Sequence, residues 1–471
     1  MTEILDMDAS GLAESIRLGH ISPREATEAY MARIRRVNPN INAVVETRFE
    51  EALREADSPP GQKNGRLRGV PVSIKESFDV KGMLTTGGIP GLGRTPAPAD
   101  SEPVRRLREE GAIVLCKTNT PALCFCQETD NVLYGRTNNP WDLTRTAGGS
   151  SGGEGALIAA GGAAVGLGSD IGGSIRFPAH FNGVIGFKSA ADSVPDSGSH
   201  PVSPWPLQRI MLGHGAMAKS VRDARLIHEI ITDRHIATVP DDSVRVSVPE
   251  PLPDLPMGQE TADLLQAIRR SLQRNRTVDA EGAPHLKESA LTWQLIMSLG
   301  GAEHIRKTAG LRGILHTTTE WLKGKAGLHT PWHPWLTWGL LGAWMFRPND
   351  QQVAELERWL ARSRKEVEAY LRGRVVILPV WHTAAPEHGT VYGEIFSIRK
   401  TFLKYMPYVA WVNTFGLPSL TVPVGEDRDG LPIGVQLVTA PGQEDVLFRL
   451  GEELERDFRG YVRCRLEDQP A

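Results

Sequence analysis

Apolar residues recur at helical spacing near the start of the chain. Ala26, Tyr30, Ile34 and Val37 share one face of SPREATEAYMARIRRV. Ser22 is placed to cap this helix, Pro23 to occupy its first turn and Glu25 to close a capping box. Pro39 is expected to end it, and the polar cluster SPPGQKNGR (58–66) to mark a boundary. The pattern then shortens. GVPVSIKESFDV (69–80) reads as a buried strand that carries Lys75. EPVRRLREEGAIVLCKTN (102–119) reads as a helix, a glycine stop and a strand. VRVSV (244–248), GRVVILPV (373–380), PSLTVPVG (418–425) and LPIGVQLV (431–438) predict further strands, the last two joined by the turn-rich EDRDG. Residues 258–372 are patterned as helix, without an internal repeat. The closing EDVLFRLGEELERDF sets Val446, Leu447, Leu450, Leu454 and Phe458 on one face. Helices alternating with strands predict an α/β fold around one mixed sheet.

One stretch fits none of these periods. Between Gly148 and Gly173 lie eleven glycines, in AGGSSGGEGALIAAGGAAVGLGSDIGGSIRFPA (147–179). A flexible linker would avoid the apolar Leu157, Ile158, Val165 and Leu167. Ala156 to Gly168 is 13 residues, short of the roughly 20 a membrane helix needs. A phosphate loop is a closer rival, but the G-x-x-x-x-G-K-[ST] and G-x-G-x-x-G patterns are missing. The remaining reading is a site built from backbone. In DIGGSIR, Ser174 follows two residues without side chains, so successive N–H groups from Ile171 to Ser174 can converge on an oxyanion. A serine nucleophile needs a base. No G-x-S-x-G elbow surrounds Ser174, and nothing marks His180 as its partner. A lysine kept neutral by burial is the alternative, and Lys75 ends an apolar strand. From the residues alone, Lys75 reads equally as a snorkelling lysine at a strand end.

Composition narrows the class. Lys plus Arg number 53 and Asp plus Glu 56, for a net charge of −3 over 471 residues, which gives no electrostatic case for nucleic acid. The acidic start MTEILDMDAS has no basic or apolar leader region. Cys116, Cys124, Cys126 and Cys464 do not fall at zinc-ligand spacing and suggest no disulfide framework, so reduced thiols in a cytoplasm are expected, with no metal and no cofactor.

GVPVSIKESF, GRTNNPWDLTRTAGGSSGG and GLGSDIGGSIRFPA closely resemble the amidase signature family of serine hydrolases, in its order and with its 24 residues between the two serines. Within it, GRTNNPWDL and GSDIGGSIRFPAHFNGVIGFK are most similar to the fatty acid amide hydrolase branch, particularly its second vertebrate type. That branch carries an N-terminal membrane anchor, which is not carried over to this chain. The resemblance implies a central mixed sheet covered by helices on both faces, with a helical insertion. It implies one large domain: an N-terminal helical segment (1–65), the signature core (66–245), a variable substrate-side insert (246–385) and a return to the core sheet (386–471). Ser174 would be the nucleophile, Ser150 the bridging serine after a cis peptide at Gly149, and Lys75 the terminal base. Ile171, Gly172, Gly173 and Ser174 would line the oxyanion hole. Ser151 would hydrogen-bond within the site, and Asp170 and Arg176 would brace its loop. Cys124, Phe125, Cys126 and Gln127 would stand at the mouth of the acyl pocket, with Cys124 and Cys126 equally readable as small core residues. Ser169 and Glu76 depart from the family's usual threonine and aspartate without removing a triad atom.

The implied reaction is amide hydrolysis through an acyl-enzyme, with esters and carbamates open to the same chemistry, on a small-molecule substrate, with a homodimer as the assembly in view. Trp321, Trp332, Trp335, Trp338 and Trp344 form either a core segment, a lid over an apolar substrate, or a surface patch for lipid or a partner. Two other functions share the signature. One is the glutaminase subunit of a tRNA-dependent amidotransferase, whose usual Tyr- and Gly-rich stretch is replaced here by LERWLARSRKEVEAYLRG. The other is a non-catalytic binding protein.

Overall fold

The computed structural model describes residues 2–240, 244–398, 400–466 and 468. Among the described residues, eleven strands form one sheet. They are β1 (Val44–Thr47), β2 (Pro71–Lys75), β3 (Ile113–Thr118), β4 (Val165–Asp170), β5 (Ile185–Lys188), β6 (Gly213–Ala218), β7 (Arg245–Ser247), β8 (Val278–Asp279), β9 (Arg374–Pro379), β10 (Ser419–Glu426) and β11 (Pro432–Val438). The order across the sheet is β1-β3-β2-β4-β6-β5-β10-β11-β9-β7-β8. β2 runs parallel to both β3 and β4, while β4, β6, β5, β10, β11 and β9 alternate antiparallel. The sheet is therefore mixed, and the EDRDG turn closes an antiparallel hairpin.

Helices form where the apolar stripes predict them. The capping box at Ser22 and Glu25 is present at the start of Pro23–Ile41. Pro39 does not end this helix, which runs two residues further. Asn42 stops it instead, taking a left-handed conformation and donating its N–H to Asn38 O. Val446, Leu447, Leu450 and Leu454 of the helix Glu444–Asp457 are buried, and that helix packs on β10. The short helix Gly152–Ala159 is buried at every residue and packs against β2 and β4, which its glycines permit. Residues 1–65 also supply β1, which pairs with β3 at the sheet edge. Residues 246–385 supply β8 and β9 beside their helices.

The tryptophan segment divides. Trp332 packs on a small core with Leu336 and Leu340 and donates to Ala309 O. Trp335 stacks on Tyr392, and Trp321 on Trp338. Trp344 is 42% exposed. No helix among the described residues is long and apolar enough to cross a membrane.

Candidate active site

The site lies where β2 and β4 end side by side. β2 is buried throughout and delivers Lys75 as its last residue. Lys75 is fully buried, with Nζ 2.6 Å from Ser150 Oγ and 3.0 Å from Ser169 Oγ. The snorkelling alternative fails, because the whole side chain is buried. No ion pair of Lys75 occurs among the described residues, and burial pushes its pKa down against the pull of Cys124, Asp170 and Glu154. That shift favours a neutral amine, which can accept a proton.

Ser150 sits in the loop between β3 and the helix Gly152–Ala159. Its peptide bond to Gly149 is cis. Gly149 passes so close to the 126–128 backbone that a Cβ there would come within 2.8 Å of Gln127 C. Ser151 N–H donates to Ser174 O at 3.0 Å, tying this loop to the next.

Ser174 follows β4 in a tight loop. Gly173 has φ +95°, and a Cβ there would lie 2.5 Å from the Phe177 ring. Asp170 anchors the loop. Its carboxylate accepts the N–H of Gly173 at 2.8 Å and of Ile175 at 3.1 Å, and pairs with the fully buried Arg176 at 3.0 Å. Burial alone would raise the Asp170 carboxyl, but Arg176, Lys188 and Asn413 outweigh it and hold it well below the usual carboxylate range. Arg176 in turn donates to Val409 O and Gln436 Oε1. The Gly173 N–H is therefore already engaged, which removes it from the four expected oxyanion donors. Among the described residues, no hydrogen bond takes the N–H of Ile171, Gly172 or Ser174. Ser150 and Ser174 line one cavity together with Ser169 and Ile171, but no hydrogen bond joins their hydroxyls.

Ser174 also borders a second cavity, walled by Phe125, Trp293, Trp338, Phe396 and Phe402. Cys124 lines both, and Gln127 lines the aromatic one. Cys126 and Ser151 are buried and line neither, so Cys126 stands behind the wall rather than at the mouth. The sequence pattern does not single out Trp293. Its Nε1 donates to Ile171 O at 2.7 Å, and its ring covers Gly172 so closely that a Cβ would lie 2.6 Å from Cζ2. Its signal was weak, since helix Leu286–Met297 carries apolar residues on every side. His180 is structural. Nε2 donates to Thr383 O and Nδ1 accepts from Gly434 N–H, while burial pushes its pKa down to about 4.

The amidase family profile matches residues 25–448. The chain belongs to the amidase family. It is 31% identical to fatty-acid amide hydrolase 2-B of Danio rerio, over 98% of this chain and 91% of that protein. It is 32% identical to indoleacetamide hydrolase of Bradyrhizobium diazoefficiens, over 94% and 85%. The structure of 6-aminohexanoate cyclic dimer hydrolase complexed with substrate superposes with a TM-score of 0.81 at 27% identity, covering 98% of this chain and 99% of that one. As an amidase, this protein is a hydrolase of amide carbon–nitrogen bonds, on the amidase signature fold.

Proposed function

We propose that this amidase cleaves hydrophobic acyl or aryl amides by a Ser174–Ser150–Lys75 relay. Ser174 Oγ attacks the amide carbon, its proton passing to Ser150 Oγ as the Ser150 proton passes to neutral Lys75 Nζ. The N–H groups of Ile171, Gly172 and Ser174 stabilise the tetrahedral oxyanion. As the carbon–nitrogen bond breaks, Lys75 returns its proton through Ser150 to the departing nitrogen. Water then attacks the Ser174 ester by the same route, releasing a carboxylic acid and free serine. The observation that carries the proposal is the 2.6 Å contact between a fully buried lysine and Ser150.

The aromatic cavity beside Ser174 supports an apolar acyl group. Relatives named for fatty-acid amides and indoleacetamide are consistent with it. An aromatic wall offers little to the polar side chain of glutamine, which weighs against a glutaminase role. Esters and carbamates follow from the same acyl-enzyme chemistry. Four free thiols agree with a reducing, cytoplasmic setting. A fluorophosphonate probe, followed by peptide mapping, tests the reading. Label on Ser174, with matching loss of amidase activity, is expected. Label on another serine of fully inhibited enzyme overturns it.

A further inference from the structure

A second carboxyl lies beside Lys75, outside the relay. Glu154 belongs to the buried helix that follows the Ser150 loop, and its side chain is fully buried. Oε2 lies 2.6 Å from Ser73 Oγ and Oε1 lies 2.8 Å from Thr118 Oγ1. Ser73 and Lys75 are two residues apart on β2, so their side chains share one face. Thr118 is the β3 residue in register with Lys75. Glu154 thus grips the two hydroxyls that flank the lysine. The approach is close, since a Cβ on Gly166 of β4 would lie 1.9 Å from Glu154 Oε2.

The partners differ from those of Asp170. Asp170 is fixed as an anion by N–H donors and a guanidinium. Both partners of Glu154 are hydroxyls, which donate or accept. The carboxyl can therefore gain or lose a proton without giving up either bond. No cation pairs with it directly among the described residues.

We propose that Glu154 is the positioning residue that sets the proton affinity of Lys75, the buried pair sharing one proton. This rests on reading Lys75 as the base of the relay. With the proton on Glu154, Lys75 is neutral and competent; with Glu154 ionised, Lys75 binds a proton more readily and the relay stalls. Burial pushes Glu154 up to about 7 and Lys75 down, so the two approach each other. The other groups facing the pair are few. Cys116 on β3 is pushed well above its ordinary value by burial and stays a thiol. Cys124 adjoins the lysine, and the charge of Asp170 is answered by Arg176.

The test is the pH profile of kcat/KM on an acyl anilide, with a melting curve for each variant. Glu154→Gln keeps both hydroxyl contacts and is neutral at every pH. Its acid limb is expected to move to lower pH by about one unit, with the plateau kept within about tenfold. Ser73→Ala removes a bond that favours the ionised carboxyl, so it moves the limb the same way by less, and it serves if the glutamine variant does not fold. An acid limb that stays in place or moves to higher pH overturns the proposal. So does a parallel loss at all pH values with a lowered Tm, which marks a purely structural residue. Lys75→Ala separates the two readings. If it keeps amidase activity, the relay itself is wrong; if it is inactive while the Glu154→Gln limb is unmoved, only this inference fails.

Discussion

Replacing Trp338 by alanine probes the aromatic cavity at its most informative wall. Trp338 lines the cavity, stacks on Trp321 at 5.2 Å between ring centroids and donates Nε1–H to Phe396 O. A tryptophan presents roughly 150–250 Å² in all; an acyl chain long enough to pass the ring removes about 70 Å² of apolar surface from water, ring and chain counted together. At ~25 cal/mol per Å² this contact is worth about 1.8 kcal/mol, or about 20-fold in kcat/KM. An acetyl group has a single methyl beyond the carbonyl and so has almost no surface to lay against the ring. The assay is kcat/KM for acyl anilides from acetyl to decanoyl, wild type against Trp338→Ala. The ratio should stay near one for acetyl and climb to about 20 for the longer chains. Trp332, which does not line the cavity, serves as the control: its alanine variant should lower Tm without a slope against chain length. A Trp338→Ala loss that is the same for acetyl and decanoyl would refute the reasoning and make this ring ordinary core.

Asp170→Asn leaves Arg176 buried without its counter-charge, so stability should fall by about 3–5 kcal/mol in a denaturant titration; a fall below about 1 kcal/mol would show that the other acceptors around Arg176 suffice. Gly172→Ala drives a methyl into Trp293, where the Cβ would lie 2.6 Å from the ring. Its kcat should drop by about 10²-fold through a displaced oxyanion donor, and adding Trp293→Phe should recover part of the loss. Wild-type kcat with the alanine at 172 would mean that this N–H does not face the reacting carbonyl.

Much of this site could be read from the chain because its chemistry is local. GGSSGG and DIGGSIR each specify a backbone path that only glycine permits, and Gly149 and Gly173 have no room for a side chain. Lys75 was ambiguous because a strand end can face either water or core, and only the sheet packing decides. β4 and β6 escaped the pattern for a related reason. VGLGSD and GHGAMA are too small and glycine-rich to show a strand period, yet they lie mid-sheet with every residue buried. Pro39 gives up one N–H bond to the preceding turn, yet the helix keeps two more residues before Asn42 turns left-handed. The engaged N–H of Gly173, the hydroxyl grip of Glu154 and the ring of Trp293 over Gly172 are contacts between distant segments. No local pattern announces them.

The central claim is a proton path from Ser174 through Ser150 to Lys75 and back to the leaving nitrogen. A departing amine needs the returned proton, whereas a phenoxide does not, so Lys75→Ala should separate the two. On a matched anilide and phenyl ester of one acid, the account predicts a loss in kcat/KM that is at least about 10²-fold larger for the anilide. Equal losses on the pair would contradict it.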